Sequence, residues 1–172
     1  RLRVWGTATQ NGRRAAVVER ITTLADPARE LRSCCASTRW AEKVAAARPF
    51  RSWDELIRKT GDVWASLGPQ DWQEAFAAHP RIGERATARW TADEQSGTRT
   101  ASEATMEALA RGNREYEKKF GHVFLICATG QPADNMLANL QERMKNDPKT
   151  ELRVAADEQR KITALRLEKL VL

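Results

Sequence analysis

The chain has 172 residues, enough for one domain with a substantial core, and its 30% charged and 41% hydrophobic residues exclude an intrinsically disordered protein. The net charge of +6 arises from basic residues that are interleaved with acidic ones along the chain. This distribution argues against a nucleic-acid-binding surface, which would gather its positive charge into one stripe.

The apolar runs and the cysteines of the sequence predict the cellular location of the protein. No apolar run approaches the roughly 20 residues of a membrane span, and the first 31 residues contain no apolar stretch typical of a secretory signal. The three cysteines, Cys34, Cys35 and Cys127, form neither a disulfide framework nor a zinc-binding CxxC spacing. The C-terminal sequence is not a peroxisomal signal. We therefore expect a cytoplasmic protein with reduced thiols, without a metal site and without membrane partners.

Glycine and proline are scarce, and alanine, leucine, glutamate and arginine are abundant, which favours helices. The pattern along the chain is interpreted as one continuous helical domain, a single-domain bundle of about seven to nine helices. In the first half, a capping box at Ser52 and Glu55 opens one helix, and Asp26 and Ser37 or Thr38 cap two others. The predicted helices of this half cover residues 14–24, 27–35, 39–47, 53–67 and 70–78.

The second half begins with a predicted loop over residues 83–91, followed by a capping box formed by Thr91 and Glu94. Residues 96–100 interrupt the helical pattern, and Ser102 caps a helix to about Lys119 that Gly121 terminates. The apolar run over residues 123–127 suits a strand, but no partner strand is visible, so a buried extended segment or helical turn is expected. Helices over residues 132–145 and 150–170 complete the chain.

His79 is one of two histidines and lies between a helical run and Pro80. The residue before a proline is disfavoured in the α region, so the helix has to end near His79. The histidine either caps the last carbonyls or points into a site where it gives or takes a proton near neutral pH. The residues alone leave both interpretations open.

Two charged residues allow a structural and a functional interpretation. Glu94 is at the third position of its predicted helix, where it either completes the capping box or serves as a carboxylate that the helix N-terminus keeps ionised. Arg166 falls inside the apolar arc that the last helix forms with Ile162, Leu165 and Leu170. Its guanidinium either extends past this arc to solvent or meets an anion, which a protein carboxylate or a ligand would supply.

Three further features concern the backbone. The run over residues 124–128 is either plain core or an extended segment whose N–H and C=O groups would suit a planar heterocycle. Asn113 and Tyr116 share one helix face, where a buried amide would organise backbone, and His122 is interpreted as a turn residue. The chain contains no nucleophile elbow, P-loop, dinucleotide fingerprint or metal-binding motif.

Taken together, these segments resemble the family of OHCU decarboxylases, which act last in the conversion of urate to allantoin; OHCU is 2-oxo-4-hydroxy-4-carboxy-5-ureidoimidazoline. The resemblance covers roughly residues 28–172, whereas residues 1–27 form an atypical start. The matching features are Trp40 with Arg48-Pro49-Phe50, residues 75–83, Glu94-Gln95-Ser96-Gly97, Asn113 with Tyr116, residues 120–124, and residues 160–167.

The resemblance implies an all-α homodimeric lyase that decarboxylates OHCU to (S)-allantoin without a cofactor. It assigns proton donation to His79 and catalytic roles to Glu94 and Arg166. It also implies that substrate contacts Pro80, Thr91 (where the family often has serine), Glu94 and Gln95. Finally, it implies that the backbone of five residues cradles the ring, namely Phe124, Leu125, Ile126, Cys127 and Ala128.

Two other functions compete with this one. A non-catalytic, basic helical module would bind nucleic acid or a partner helix and would tolerate substitution of His79. Alternatively, the same scaffold would act on another ureide or purine breakdown product.

Overall fold

A computed structural model describes residues 9–83, 96–98 and 101–171. These residues contain eight α-helices and a 3-10 turn over Ser96–Thr98, and no strand is found among them. The predicted all-α, single-domain fold is therefore confirmed. The helices are α1 (Gln10–Thr23), α2 (Ala28–Cys34), α3 (Thr38–Ala46), α4 (Trp53–Ser66), α5 (Pro69–Ala77), α6 (Glu103–Phe120), α7 (Ala133–Arg143) and α8 (Pro148–Glu168).

Serine side chains begin helices where the sequence predicts them. The Ser37 hydroxyl oxygen accepts from the backbone N–H of Trp40, and that of Ser52 accepts from Glu55, at N···O distances of 3.2 and 3.1 Å. The capping box at Ser52 is incomplete, because Glu55 Oε2 accepts from the N–H of Arg51 at 2.9 Å. Each cap satisfies a donor that the first helical turn leaves without an internal partner.

Contacts divide the fold into two compact units. The first unit contains the residues up to Leu67 and those from Thr163 onward. In it, α3 packs against α2 and α4, and α1 packs against α4. The buried indole of Trp40 donates its N–H to the carbonyl oxygen of Thr60 at 3.1 Å, so this large ring enters the interior with its polar group satisfied. Other buried apolar residues of this unit include Val17, Ile21, Leu31, Val44, Leu56 and Leu167.

The second unit, Gly68–Ile162, contains most of the predicted site. Its α6 and α7 pack together, and a Cβ atom at Gly112 would lie 2.8 Å from Leu140 Cδ2, which shows how closely the two helices approach. The apolar core of this unit consists of Ile82, Leu109, Tyr116, Phe124, Ile126, Ala128, Ala133, Met136 and Leu140.

Both predicted helix ends of this unit are confirmed. Helix α5 ends at Ala77, and the backbone N–H of His79 donates to the Phe76 carbonyl at 3.1 Å before the chain turns at Pro80. Helix α6 ends at Phe120 and is capped by Gly121, whose φ of 78° is left-handed. Glycine adopts that conformation at little steric cost. The predicted loop from Glu84 and the capping box at Thr91 and Glu94 lie outside the described residues.

Candidate functional site

His79 is held by a buried amide. Its half-buried ring places Nε2 2.7 Å from Oε1 of Gln159 on α8, and the Gln159 side chain is completely buried. An amide oxygen can only accept, so the imidazole donates from Nε2. The end of α5 fixes the backbone of His79, and α8 fixes its ring.

The 124–128 segment is buried and has neither helix nor strand, as expected of the buried extended alternative. The side chains of Phe124, Leu125, Ile126 and Ala128 are buried, and that of Cys127 is half-buried. The strand and helical-turn alternatives were wrong. The Ala128 carbonyl accepts from the backbone N–H of Gln131 at 2.9 Å. The other hydrogen bonds of this backbone come from side chains of the unit.

Three such bonds hold the segment. The N–H of Cys127 donates to Glu158 Oε2 at 2.8 Å, and its carbonyl accepts from Gln131 Nε2 at 2.8 Å. The carbonyl of Leu125 accepts from Arg143 Nη1 at 2.6 Å. The backbone N–H and C=O of Ile126, by contrast, have no hydrogen bond to another described residue. The segment is therefore anchored at Leu125 and Cys127, on either side of Ile126.

A buried polar network lies behind the Leu125 anchor. Arg143 donates from Nε to Glu151 Oε1 at 2.7 Å, and the Tyr116 hydroxyl donates to the same oxygen at 2.5 Å. Asn146 donates to the second oxygen, Oε2, at 2.9 Å. Burial, followed by the hydrogen bond to Glu151, raises the pKa of Tyr116 far above its ordinary value. The network fixes the guanidinium that binds Leu125.

Asn113 organises backbone, as its position predicts. Its side chain is buried, and Nδ2 donates to the carbonyl of Ile82, three residues after His79, at 3.1 Å. Its Oδ1 is buried without a hydrogen-bond partner in the described part of the chain. Asn113 also lines a hollow of about 300 Å³ together with Arg81, Ile82, Gly83, Met106, Ala110 and Arg114.

His122 is half-buried and packs against aromatic rings of the unit. Its ring centroid lies 5.2 Å from that of Phe76 and 5.5 Å from that of Tyr116, and Nδ1 lies 3.1 Å from the Val123 carbonyl oxygen. These contacts hold the chain where α6 ends and the 124–128 segment begins. The residue is thus a structural element of the turn that the sequence predicts.

The other predicted site residues are placed as follows. Pro80 is half-buried next to His79. Arg166 belongs to the first unit, is half-buried, and places Nη1 3.5 Å from the carbonyl oxygen of Cys34. Thr91, Glu94 and Gln95 lie outside the described residues, so their roles stay predictions.

The 3-10 turn links the Glu94–Gly97 motif to the segment. A Cβ atom at Gly97 would lie 1.9 Å from the carbonyl oxygen of Gln131, so only glycine allows this approach of two backbones. Gln131 in turn donates to Cys127. The end of the motif therefore lies against residues that anchor the 124–128 segment.

Sequence reasoning missed Glu158, Gln159, Arg143 and Glu151. The available signal was the helical spacing of these polar residues, which places them on the buried face of a helix. Glu151 and Gln159 lie eight residues apart on α8, and Arg143 follows Met136 and Leu140 on α7.

Among the described residues, no group of three or more metal-binding side chains could hold an ion, and none of the helices has the length and hydrophobicity to cross a membrane.

The described residues define an all-α protein in which a histidine at a helix end is oriented by a buried amide. Comparisons with known proteins place the chain in a family. The sequence model of OHCU decarboxylase matches residues 23–168. The chain is 41% identical over 150 residues to the uric acid degradation bifunctional protein TTL of Arabidopsis thaliana, covering 82% of this chain but only 46% of that protein.

Two further matches have lengths closer to that of this chain. A 2-oxo-4-hydroxy-4-carboxy-5-ureidoimidazoline decarboxylase of Haloferax volcanii is 28% identical over 130 residues, which is 74% of this chain and 77% of that protein. A crystal structure of OHCU decarboxylase in the presence of (S)-allantoin superimposes with a TM-score of 0.74 at 39% identity, covering 82% and 96% of the two chains. The chain belongs to the OHCU decarboxylase family.

Proposed function

We propose that this chain decarboxylates OHCU to (S)-allantoin in urate degradation, with His79 as the proton donor. The observation that carries the proposal is the family match over residues 23–168, which includes His79, the 124–128 segment and Arg166. The relatives reported above are named as a decarboxylase of this substrate and as a protein of uric acid degradation.

The substrate itself supplies the electron sink. The carbon that loses CO₂ is next to a C=N unit, so the electron pair of the breaking C–C bond delocalises into the ring. The protein has to orient the carboxylate across the ring plane, stabilise the developing negative charge, and deliver a proton to one face. General-acid catalysis of this kind contributes about 10²–10⁴-fold in rate, and orientation contributes up to about 7–11 kcal/mol.

His79 has the geometry for proton delivery. The hydrogen bond from Nε2 to Gln159 Oε1 at 2.7 Å fixes the orientation of the ring before the substrate binds. Delivery from one fixed direction would produce one enantiomer of allantoin. This is the property that distinguishes the enzymatic product from a spontaneous racemic one.

The 124–128 segment supports ring binding. Its anchors at Leu125 and Cys127 leave the N–H and C=O of Ile126 between them, and both groups lack a hydrogen bond to the described residues. We assign these two groups to the substrate ring. The flanking backbone of Phe124 and Ala128 would complete the cradle.

The remaining site residues are assigned from the family resemblance. Glu94 and Gln95 would recognise the hydroxyl or ureido groups, with Thr91 and Pro80 next to them, and the contact of Gly97 with Gln131 supports placing their motif near the segment. Arg166 would hold an anionic or carbonyl oxygen through paired donors.

A homodimer and a cytoplasmic location are also part of the proposal. The family resemblance supports the dimer, which light scattering would test. The location is supported by the three cysteines, which are all thiols.

Freshly generated OHCU tests the activity. Circular dichroism should show (S)-allantoin forming faster than the racemic background, and His79→Gln should abolish this signal while leaving the melting temperature nearly unchanged. His122→Gln is the matched control: it removes the second histidine, whose contacts are structural, and the folded variant should retain turnover. If His79→Gln keeps wild-type turnover, His79 is not the proton donor.

Two variants test the charged residues. Glu94→Gln should lower turnover, whereas a purely capping role predicts lost stability with retained turnover. Arg166→Met should raise KM; if it stabilises the fold and leaves KM unchanged, the arginine does not bind substrate. A chain without OHCU turnover that binds nucleic acid in a salt-dependent manner would be the competing basic module.

A further inference from the structure

Helix α8 directs two consecutive polar side chains at separate parts of the second unit. Glu158 Oε2 accepts from the N–H of Cys127 at 2.8 Å, and Gln159 Oε1 lies 2.7 Å from Nε2 of His79. Gln159 is completely buried, where an apolar side chain would avoid the cost of desolvating an amide. Its hydrogen bond to His79 offsets that cost and at the same time determines the state of the ring.

A carbonyl oxygen has no proton to give, so the ring nitrogen that faces it must carry one. In the neutral imidazole, a proton on Nε2 places the lone pair on Nδ1. We propose that Gln159 is a positioning residue that selects this tautomer, so that His79 takes up and returns the catalytic proton through Nδ1. The catalytic part of this inference rests on the proposed function; the tautomer itself does not.

The second histidine, His122, is expected to have the other tautomer and therefore serves as an internal reference. His122 Nδ1 lies 3.1 Å from the Val123 carbonyl oxygen, and a carbonyl can only accept, so the neutral His122 ring carries its proton on Nδ1. The chain has only these two histidines. The structure therefore requires one tautomer of each kind in the same molecule.

Nitrogen-15 NMR of the imidazole rings tests this directly in the full chain. At a pH where both rings are neutral, long-range ¹H–¹⁵N spectra should show one Nε2–H ring and one Nδ1–H ring. His79→Gln and His122→Gln assign them. A His79 ring that carries its proton on Nδ1, or that populates both forms, overturns the inference.

Two substitutions of Gln159 connect the tautomer to catalysis. Gln159→Met keeps the side-chain length but removes the acceptor, so His79 should populate both tautomers. Its kcat should fall on the order of tenfold or more, with a smaller change in KM. Gln159→Glu restores an acceptor oxygen and should restore the Nε2–H form. A Gln159→Met variant with the wild-type tautomer and kcat contradicts the proposal.

Glu158→Gln is the control for a general disturbance of α8. It changes the neighbouring residue, which contacts Cys127 and not His79, and should leave the His79 tautomer as in the wild type. If Gln159→Met does not fold, the wild-type and Gln159→Glu spectra still decide the tautomer. A wild-type chain that fails to turn over OHCU refutes the proposed function alone, because the tautomer is measured without substrate.

Discussion

The guanidinium of Arg143 and the carboxylate of Glu151 form an ion pair at 2.6 Å in which the two side chains are only 6% and 0% exposed. The same guanidinium donates to the Leu125 carbonyl at 2.6 Å and lies 4.6 Å from the centroid of the Phe124 ring. The charge pair is thus bonded to the segment that we assign to substrate binding. Stability and geometry of the site depend on the same two residues.

Arg143→Met should destabilise the protein by about 3–5 kcal/mol, because it leaves the Glu151 carboxylate buried without its cation. Urea unfolding measures the loss. The matched control is Lys145→Met, which removes the cation of a 2.9 Å pair with Glu142 whose side chains are 72% and 73% exposed. That change should cost less than about 1 kcal/mol. Equal losses in the two variants would show that burial does not determine the strength of these pairs.

The double substitution Arg143→Met with Glu151→Leu separates stability from positioning. Replacing both charges by apolar groups should recover most of the lost stability, since no unpaired charge remains. It does not restore a donor for the Leu125 carbonyl, so turnover of OHCU should stay low. Full recovery of turnover together with stability would mean that the Leu125 anchor has no part in catalysis.

The Tyr116 hydroxyl gives a prediction for alkaline pH. Burial and the hydrogen bond to Glu151 raise its pKa, and it is the only tyrosine of the chain. The folded protein should therefore show no tyrosinate absorbance near 295 nm at about pH 10, where the unfolded chain titrates. Absorbance that rises near pH 10 in the folded protein would contradict the buried hydrogen bond.

The same shift predicts how stability changes with pH. Because the folded pKa of Tyr116 is raised above the unfolded one, its contribution is complete below about pH 10 and is lost as the pH rises further, by at most about 1.4 kcal/mol per pH unit. Tyr116→Phe removes this pH-dependent component, together with the hydrogen bond to Glu151, and should flatten the decline of unfolding free energy above pH 10. An unchanged slope would mean that other groups account for it.

Local features of the fold could be predicted from the sequence, because their causes lie within a few residues. The serine cap at Ser52, the left-handed Gly121 and the helix end before Pro80 are of this kind. The buried Asn113 amide was also predicted, but not its acceptor Ile82, 31 residues away. A hydrogen-bond partner so distant in the sequence is determined by tertiary packing.

The pair of His79 and Gln159 shows the limit most clearly, since the two residues are 80 positions apart. Nothing near His79 in the sequence indicates an acceptor, and the neighbours of Gln159 are those of an ordinary helix residue. A polar residue at an apolar position of a helix is the usable signal. Gln159 and Arg143 carry this signal, as Arg166 does.

Thiol labelling should distinguish the three cysteines. Burial raises the pKa of the Cys34 thiol to about 12, and Cys35 is also buried, whereas Cys127 is half-buried. The thiolate is the reactive form, so a disulfide reagent should modify one thiol quickly in the native protein and all three after unfolding. Cys127→Ser should remove the fast reaction. Rapid labelling of a second thiol would contradict the burial of Cys34 and Cys35.

Alanine substitutions at two glycines inside helices, Gly61 and Gly112, measure how tightly α6 packs against α7. A Cβ atom at Gly61 in α4 would have no other atom within 4 Å, so Gly61→Ala should stabilise the protein by about 0.5–1 kcal/mol, the usual gain in a helix. Gly112→Ala has the same gain in propensity, but its Cβ would lie 2.8 Å from Cδ2 of the buried Leu140. Overpacking at such a contact costs about 1–3 kcal/mol, so this variant should be destabilised.

Urea unfolding of the two alanine variants measures the difference directly, because the propensity term cancels between them. A gap of about 1.5 kcal/mol or more would show that Leu140 cannot move aside and that α6 and α7 are locked in their observed approach. Equal stabilisation would mean that the side chain of Leu140 yields at little cost. The helix that carries Asn113 and Tyr116 would then be free to shift against α7, and the Arg143 network alone would hold the Leu125 anchor in place.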